Sequence, residues 1–283
     1  MIRIFVDSSA DFEPQELEQL QLECIPLPVM FGETVYQENV NLTKDEFYRL
    51  LTTGSDFPHT SRPTPHDLTK RLKQARDHGD DMIVITLSSA LSGTYQDIVM
   101  AARNCHYDRC FVIDSRNATG GIRLLAQYAA QLRDEDETAE YIVDAVKALR
   151  KRIRLYACLD TLEYLQRGGR ISGAAAAIGT VARIKPIIQI DSKGRVDVTG
   201  KMLGMNRGQM HLIEQFEAHP ADPAFPVVML YTMDQTNADH LAERMAKHGY
   251  DTSAWHRLNV GAVIGSHIGP GAVGFVYVEK EAE

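Results

Sequence analysis

The sequence predicts an α/β protein of two domains: a parallel sheet with helices on its faces over residues 1–153, and an α+β domain over residues 154–283. Three observations point there. Apolar runs, each followed by a turn and a helical stretch, recur through the first 155 residues. Near Arg154 this alternation gives way to a hairpin-like pair of apolar segments and a stretch of small side chains. A chain of 283 residues, 44% apolar and 24% charged, buries roughly three quarters of its surface, enough for one large core or two compact ones.

The elements follow in order. Residues 2–6 are an apolar run ending at Asp7, and a helix is expected near residues 13–22. Residues 23–40 are extended and punctuated by Pro26 and Pro28, with Gly32 at a turn. Thr43 and Glu46 have the spacing of a capping box ahead of Phe47, Leu50 and Leu51, so a helix starts there. A second helix follows Pro65, with Leu68 and Leu72 on one face. Residues 82–87 read as a buried strand, followed by a Ser/Gly turn and a helix from Thr94. Residues 111–113 form the next strand, and helices span 119–132 and 138–151. In the second half, 155–159 is a strand and a short helix ends near Gln166. Residues 184–190 and 196–202 make a hairpin around Ser192-Lys193-Gly194. A helix ends near Ala218, a strand covers 227–232, a helix covers 238–248, and strands lie near 255–260 and 272–278.

Composition excludes several functions. Thirty Lys and Arg against thirty-eight Asp and Glu leave a net charge of −8, a poor footprint for nucleic acid and weak attraction to anionic membranes. No apolar run reaches the roughly eighteen residues of a transmembrane helix, and the first residues read as a strand rather than a signal peptide. Four cysteines at 24, 105, 110 and 158 are read as reduced thiols of a cytoplasmic protein. Cys105, His106 and Cys110 lack the second ligand pair of a zinc site. Phosphate-loop, nucleophile-elbow, dinucleotide-fold and zinc-protease motifs are missing.

What remains is a set of hydroxyls and glycines at loop positions. Leu87-Ser88-Ser89-Ala90-Leu91-Ser92-Gly93-Thr94-Tyr95 follows a strand and opens a helix, a place where free N–H groups favour an anion. Ser92 as a plain helix cap is the alternative. His59-Thr60-Ser61-Arg62-Pro63-Thr64-Pro65 is either a second ligand loop or a solvated loop and helix cap. Gly265-Ser266-His267-Ile268-Gly269-Pro270-Gly271 suggests close backbone approach around one histidine. Asp7-Ser8-Ser9 and Asp114-Ser115 end strands on the same sheet edge.

Taken together, Asp7-Ser8-Ser9-Ala10-Asp11, Thr60-Ser61-Arg62-Pro63, Ser92-Gly93-Thr94-Tyr95, Asp114-Ser115, Leu165-Gln166-Arg167-Gly168-Gly169-Arg170-Ile171 and His267-Ile268-Gly269-Pro270-Gly271 resemble, in order and across nearly the whole chain, the DegV family. The resemblance implies a two-domain fatty-acid-binding protein. Such proteins present a long-chain fatty acid to a separate fatty-acid kinase, which makes an acyl phosphate for phospholipid metabolism. It implies that Thr60, Ser61, Ser92, Gly93 and His267 surround the carboxylate, with Thr94, Arg170 and Arg207 as further candidates. It implies a tunnel for the acyl chain in the second domain, no catalytic residue, no metal and no cofactor. The expected partners are the fatty acid and the kinase subunit, with passing proximity to a membrane and no nucleic acid. The run Ala174–Ala177 suits a tunnel wall or equally a tight helix contact. One departure stands out: where the family commonly has a basic residue after Gly200-Lys201, this chain has Leu203, with Arg207 nearby. The competing reading is a phosphotransferase or phosphatase for a small phosphorylated metabolite, with His267 as acid or base.

Overall fold

The computed structural model describes residues 1–171 and 183–281. The run Ala174–Ala177 lies outside the described residues. The first half runs β1 (Ile2–Asp7), α1 (Pro14–Gln19), β2 (Leu22–Ile25), β3 (Pro28–Phe31), β4 (Thr34–Gln37), α2 (Lys44–Thr53), β5 (His59–Thr60), α3 (Pro65–Asp77), β6 (Asp81–Thr86), α4 (Thr94–Asn104), β7 (Cys110–Asp114), α5 (Gly120–Asp134) and α6 (Ala139–Leu149). The second runs β8 (Ile153–Cys158), α7 (Glu163–Arg167), β9 (Ile184–Ile190), β10 (Val196–Leu203), α8 (Met205–Ala218), β11 (Val228–Tyr231), α9 (Thr236–Lys247), β12 (His256–Asn259), α10 (Ala262–Ile268) and β13 (Val273–Val278).

Among the described residues the strands form three sheets. A four-stranded sheet in the order β2-β1-β6-β7 is parallel throughout, as the strand–turn–helix alternation predicts. A six-stranded mixed sheet in the order β10-β9-β8-β13-β11-β12 occupies the second half. Only its β11–β12 pair is parallel among the described pairings. The third sheet, β4-β3-β5, is antiparallel. The stretch 23–40, expected simply to be extended, thus resolves into β2 and the β3–β4 pair turning at Gly32, whose φ is +56°. The expected loop at Thr60 is a two-residue strand, with Val29 opposite Thr60 and Met30 opposite His59.

Side-chain alternation explains how the layers stack. Ile4, Val6, Ile83 and Ile85 point to one face of the parallel sheet, while Phe5, Met82 and Val84 point to the other. The first face meets α5 and α6, and those helices meet Leu155, Val228, Leu230, Val276 and Val278 of the mixed sheet within one continuous core. Helix α5 is buried nearly all round, so it carries Gly120, Gly121, Ala126, Ala129 and Ala130 where larger side chains have no room. The outer face of the mixed sheet presents Tyr156, Met229, Phe275 and Tyr277 to α8 and α9. Helix starts follow the expected chemistry: the Thr43 hydroxyl accepts from the Glu46 N–H at 3.2 Å, and Thr64 caps α3 just ahead of Pro65.

Candidate functional site

A cavity of about 500 Å³ opens where the loops after β1's neighbours meet the inner face of the mixed sheet. The sheet contributes Leu155, Ala157, Ile188, Ile190, Val196 and Leu230. These share one face by register: Ala157 stands opposite Ile188, and Ile190 opposite Val196. Leu27, Leu87 and Ala118 come from the first half, and Val263, Ile264 and Ile268 from α10. The wall is therefore chiefly aliphatic, and its size falls within the ordinary range for a small-molecule site.

The polar part of the lining is Thr60, Ser61, Arg62, Ser89, Ser92, Gly93, Thr119, Arg170 and His267. Thr60 Oγ1 and His267 Nε2, 207 residues apart in sequence, stand 3.0 Å from each other. Strand β5 presents the threonine, and the last turn of α10 presents the histidine. Gly265 and His267, expected in a glycine-rich turn, in fact lie within that helix; the left-handed glycines are Gly269 and Gly271 beyond it. Gly265 has no side chain because a Cβ there would stand 2.7 Å from the Phe47 ring and 2.9 Å from the Tyr48 hydroxyl.

His267 seats its ring against α7. A Cβ on Gly168 would fall 2.2 Å from His267 Nδ1. That nitrogen is buried and has no hydrogen-bond partner among the described residues. Burial, aided by the Arg170 and His59 charges, lowers the imidazole pKa to about 4. That shift favours the neutral ring, so His267 offers the site a hydrogen bond rather than a charge.

A cation is present in Arg170. Its Nε donates to Leu91 O at 3.2 Å and its Nη1 to Gly168 O, while no carboxylate lies within ion-pair distance among the described residues. Arg62, by contrast, is paired with Asp97 at 3.0 Å and lies across Gly93. The hydroxyls divide in the same way. Ser88 Oγ donates to Gly194 O at 2.7 Å, and Ser89 Oγ to Asp114 Oδ2 at 2.5 Å. Both hold loops together; of this loop's hydroxyls Ser89 and Ser92 line the cavity, Ser89 committed to Asp114 and Ser92 with its Oγ 2.9 Å from the buried Thr94 Oγ1. Ser92 Oγ also accepts from the Thr94 N–H at 3.3 Å, although the residue in the N-cap position of α4 is Gly93, not Ser92.

Asp7 faces inward and is fully buried. Its carboxylate accepts from the Ser9 N–H, the Ser9 hydroxyl and the Leu87 N–H, which ties the ends of β1 and β6. Leu203 and Arg207 do not line the cavity: Leu203 is exposed at the end of β10, and Arg207 is exposed in the first turn of α8. The residues that composition and motifs left unnamed are the sheet positions Leu155, Ala157, Ile188, Ile190 and Leu230. Their signal is the spacing of two along β8 and β9, which marks a shared face without saying that it borders a void.

Comparison with known proteins is consistent with this geometry. A DegV domain-containing protein of Caldanaerobacter subterraneus is 31% identical over 279 residues, 99% of each chain. A solved structure described as fatty acid binding of a DegV family protein from Thermus thermophilus matches with a TM-score of 0.87 at 27% identity, covering 99% of both chains. DegV of Bacillus subtilis, described as a fatty acid binding protein, matches with a TM-score of 0.83 at 29% identity over 99% of both chains. The model of the family described as uncharacterised DegV proteins matches residues 1–280, and the chain therefore belongs to the DegV family.

Proposed function

We propose that this protein binds a long-chain fatty acid, holds its carboxylate at Thr60, Ser61, Ser92, Gly93, His267 and Arg170, and offers it to a separate kinase for acyl-phosphate formation. The observation that carries the reading is one cavity with an aliphatic wall and a single polar quarter whose only unpaired cation, among the described residues, is Arg170. The two solved relatives described as fatty acid binding support the same ligand class. The acyl chain lies along the mixed-sheet wall contributed by the second half, and the loops of the first half meet the headgroup. Burial of about fourteen methylenes contributes on the order of 11 kcal/mol gross at ~0.8 kcal/mol each. A charge-assisted hydrogen bond adds roughly 1.5–3 kcal/mol, so the chain sets affinity and the polar groups set orientation.

The Thr60–His267 contact acts as a directed relay. With the proton on Nε2, the imidazole donates to Thr60 Oγ1, which frees the threonine hydroxyl proton for the carboxylate. That tautomer leaves a bare lone pair at Nδ1, where no donor stands among the described residues. Thr60→Val removes the relay at constant shape and is expected to weaken fatty-acid binding and acyl-phosphate yield by about 5- to 20-fold, while Thr60→Ser retains most of both. Mass spectrometry of an organic extract of the purified protein tests the ligand, with about one long-chain acid expected per chain. An empty extract together with no uptake of added palmitate or oleate would overturn the reading. ATP turnover by the pure protein, abolished by His267→Ala, would favour a phosphotransferase or phosphatase instead.

A further inference from the structure

Asp11 and Glu38 form a buried carboxyl pair that the ligand site does not use. They are 1% and 2% exposed. Asp11, left-handed at φ 58°, accepts from the Thr119 hydroxyl at 2.5 Å and from the Gly261 N–H at 2.9 Å. Glu38 Oε1 accepts from the Ala262 N–H and from the Val263 N–H at 3.4 Å. Both carboxyls converge on one point: a Cβ at Gly261 would stand 2.0 Å from Glu38 Oε1 and 2.6 Å from Asp11 Oδ1. The second Glu38 oxygen is buried with no hydrogen-bond partner among the described residues. These three N–H groups begin α10, and the other end of α10 carries His267.

Two charges so close and so buried resist joint ionisation, so one proton is retained well above the ordinary carboxylate range. Burial raises the Glu38 carboxyl, and the neighbouring Asp11 raises it further; burial also raises Asp11. The groups facing the pair include Ser8, Lys44, Tyr48 and the Cys24 thiol, which burial keeps protonated, with Thr119 and Arg123 from the α5 side. Lys44 is tied to Glu13 at 2.6 Å and Arg123 to Glu16. Lys44 opposes the rise at both carboxyls, and Arg123 opposes it at Asp11, without cancelling it. The Tyr48 hydroxyl donates to Val260 O at 2.7 Å and stays neutral.

We propose that Asp11 and Glu38 share one proton, that this proton latches the start of α10, and that its loss loosens the helix and with it the seat of His267. The link to ligand affinity rests on the fatty-acid reading; the latch itself does not. The sign follows from linkage. Both carboxyls bind a proton more tightly folded than unfolded, so the stabilisation is complete below the ordinary carboxylate range and is lost as pH rises toward the raised values. His267 stays neutral across that window and does not contribute.

The test is hydrogen exchange of the α10 amides in ligand-free protein from about pH 5 to about pH 9, compared with Glu38→Gln, whose carboxamide imitates the protonated acid. The wild-type protection factor is expected to fall by up to about tenfold per pH unit, the slope of one proton released on opening, and the variant to be flat. Asp11→Asn should flatten the profile as well, and serves if Glu38→Gln does not fold. Parallel profiles for wild type and both variants would overturn the latch. Palmitate affinity, measured separately, should weaken with pH in wild type only. A pH-dependent helix with constant palmitate affinity would overturn the coupling to His267, whereas no palmitate binding at any pH would overturn the fatty-acid reading and leave the latch standing.

Discussion

Ile190→Glu is expected to reduce palmitate or oleate affinity by about 100-fold while shifting the melting temperature by only a few degrees. Ile190 ends β9 opposite Val196 and is half-buried on the cavity wall. A glutamate there can turn its carboxylate toward water, so the fold keeps most of its stability. The cavity, however, gains a charge where the acyl chain needs an apolar surface, and an ionised group beside a dry wall is costly. Losing contact with about three methylenes at ~0.8 kcal/mol each already accounts for most of the expected factor. Val35→Glu, on exposed β4 and away from the lining, is the control and should bind as wild type. Titration calorimetry with both variants decides the matter: equal affinities for Ile190→Glu and wild type would show that the chain does not run along this wall.

The second large effect is expected from Gly168→Val. Gly168 closes α7 at φ −74°, a conformation that valine adopts freely. The substitution therefore acts through crowding, chiefly its Cβ falling 2.2 Å from His267 Nδ1, with a lesser approach of 3.0 Å to Tyr164 O. The imidazole must swing away and the contact with Thr60 is lost. Headgroup-dependent binding should fall about 10- to 50-fold, the loss of one or two hydrogen bonds to a charged group. A double-mutant cycle isolates the cause. If the clash is responsible, Gly168→Val costs little in a His267→Ala background, because the ring it collides with is gone. Additive losses would mean that Gly168 acts through some route other than His267.

The parts of this molecule that were legible in the sequence are those set by local pattern. The parallel sheet followed from apolar runs separated by helices, the β9–β10 hairpin from Ser192-Lys193-Gly194, and the starts of α2 and α3 from Thr43 and Pro65. The extended stretch that became β3 and β4 was legible together with its turn at Gly32, whereas β5 was hidden because it is two residues long and pairs with β3 across a chain separation that no local signal spans. Helix α10 was hidden because Gly265 lowers intrinsic helix preference; packing against Phe47 and Tyr48, which admits no Cβ, outweighs that preference. In the cavity loops, residue type alone could not separate Ser88, bonded to Gly194, and Ser89, bonded to Asp114 at the cavity edge, from Ser92, whose hydroxyl is committed to no distant loop. The Asp11–Glu38 pair was invisible for the same reason: only the fold brings residue 38 to residue 261.

Helix α5, held between the two larger sheets, gives the chain a shared wall rather than a linker. Its Ile122, Leu125 and Ala129 belong to a core that both sheets close, so neither sheet is insulated from damage to the other. Heat should reach the molecule as one calorimetric peak, and the two halves should lose amide protection together. A fragment ending at residue 153 would keep α5 but leave uncovered the surface on which Val228 and Val276 sit against Gly120. Such a fragment is a candidate for aggregation rather than independent folding, and a change to the cavity's sheet wall has to be tolerated by the loops that face it.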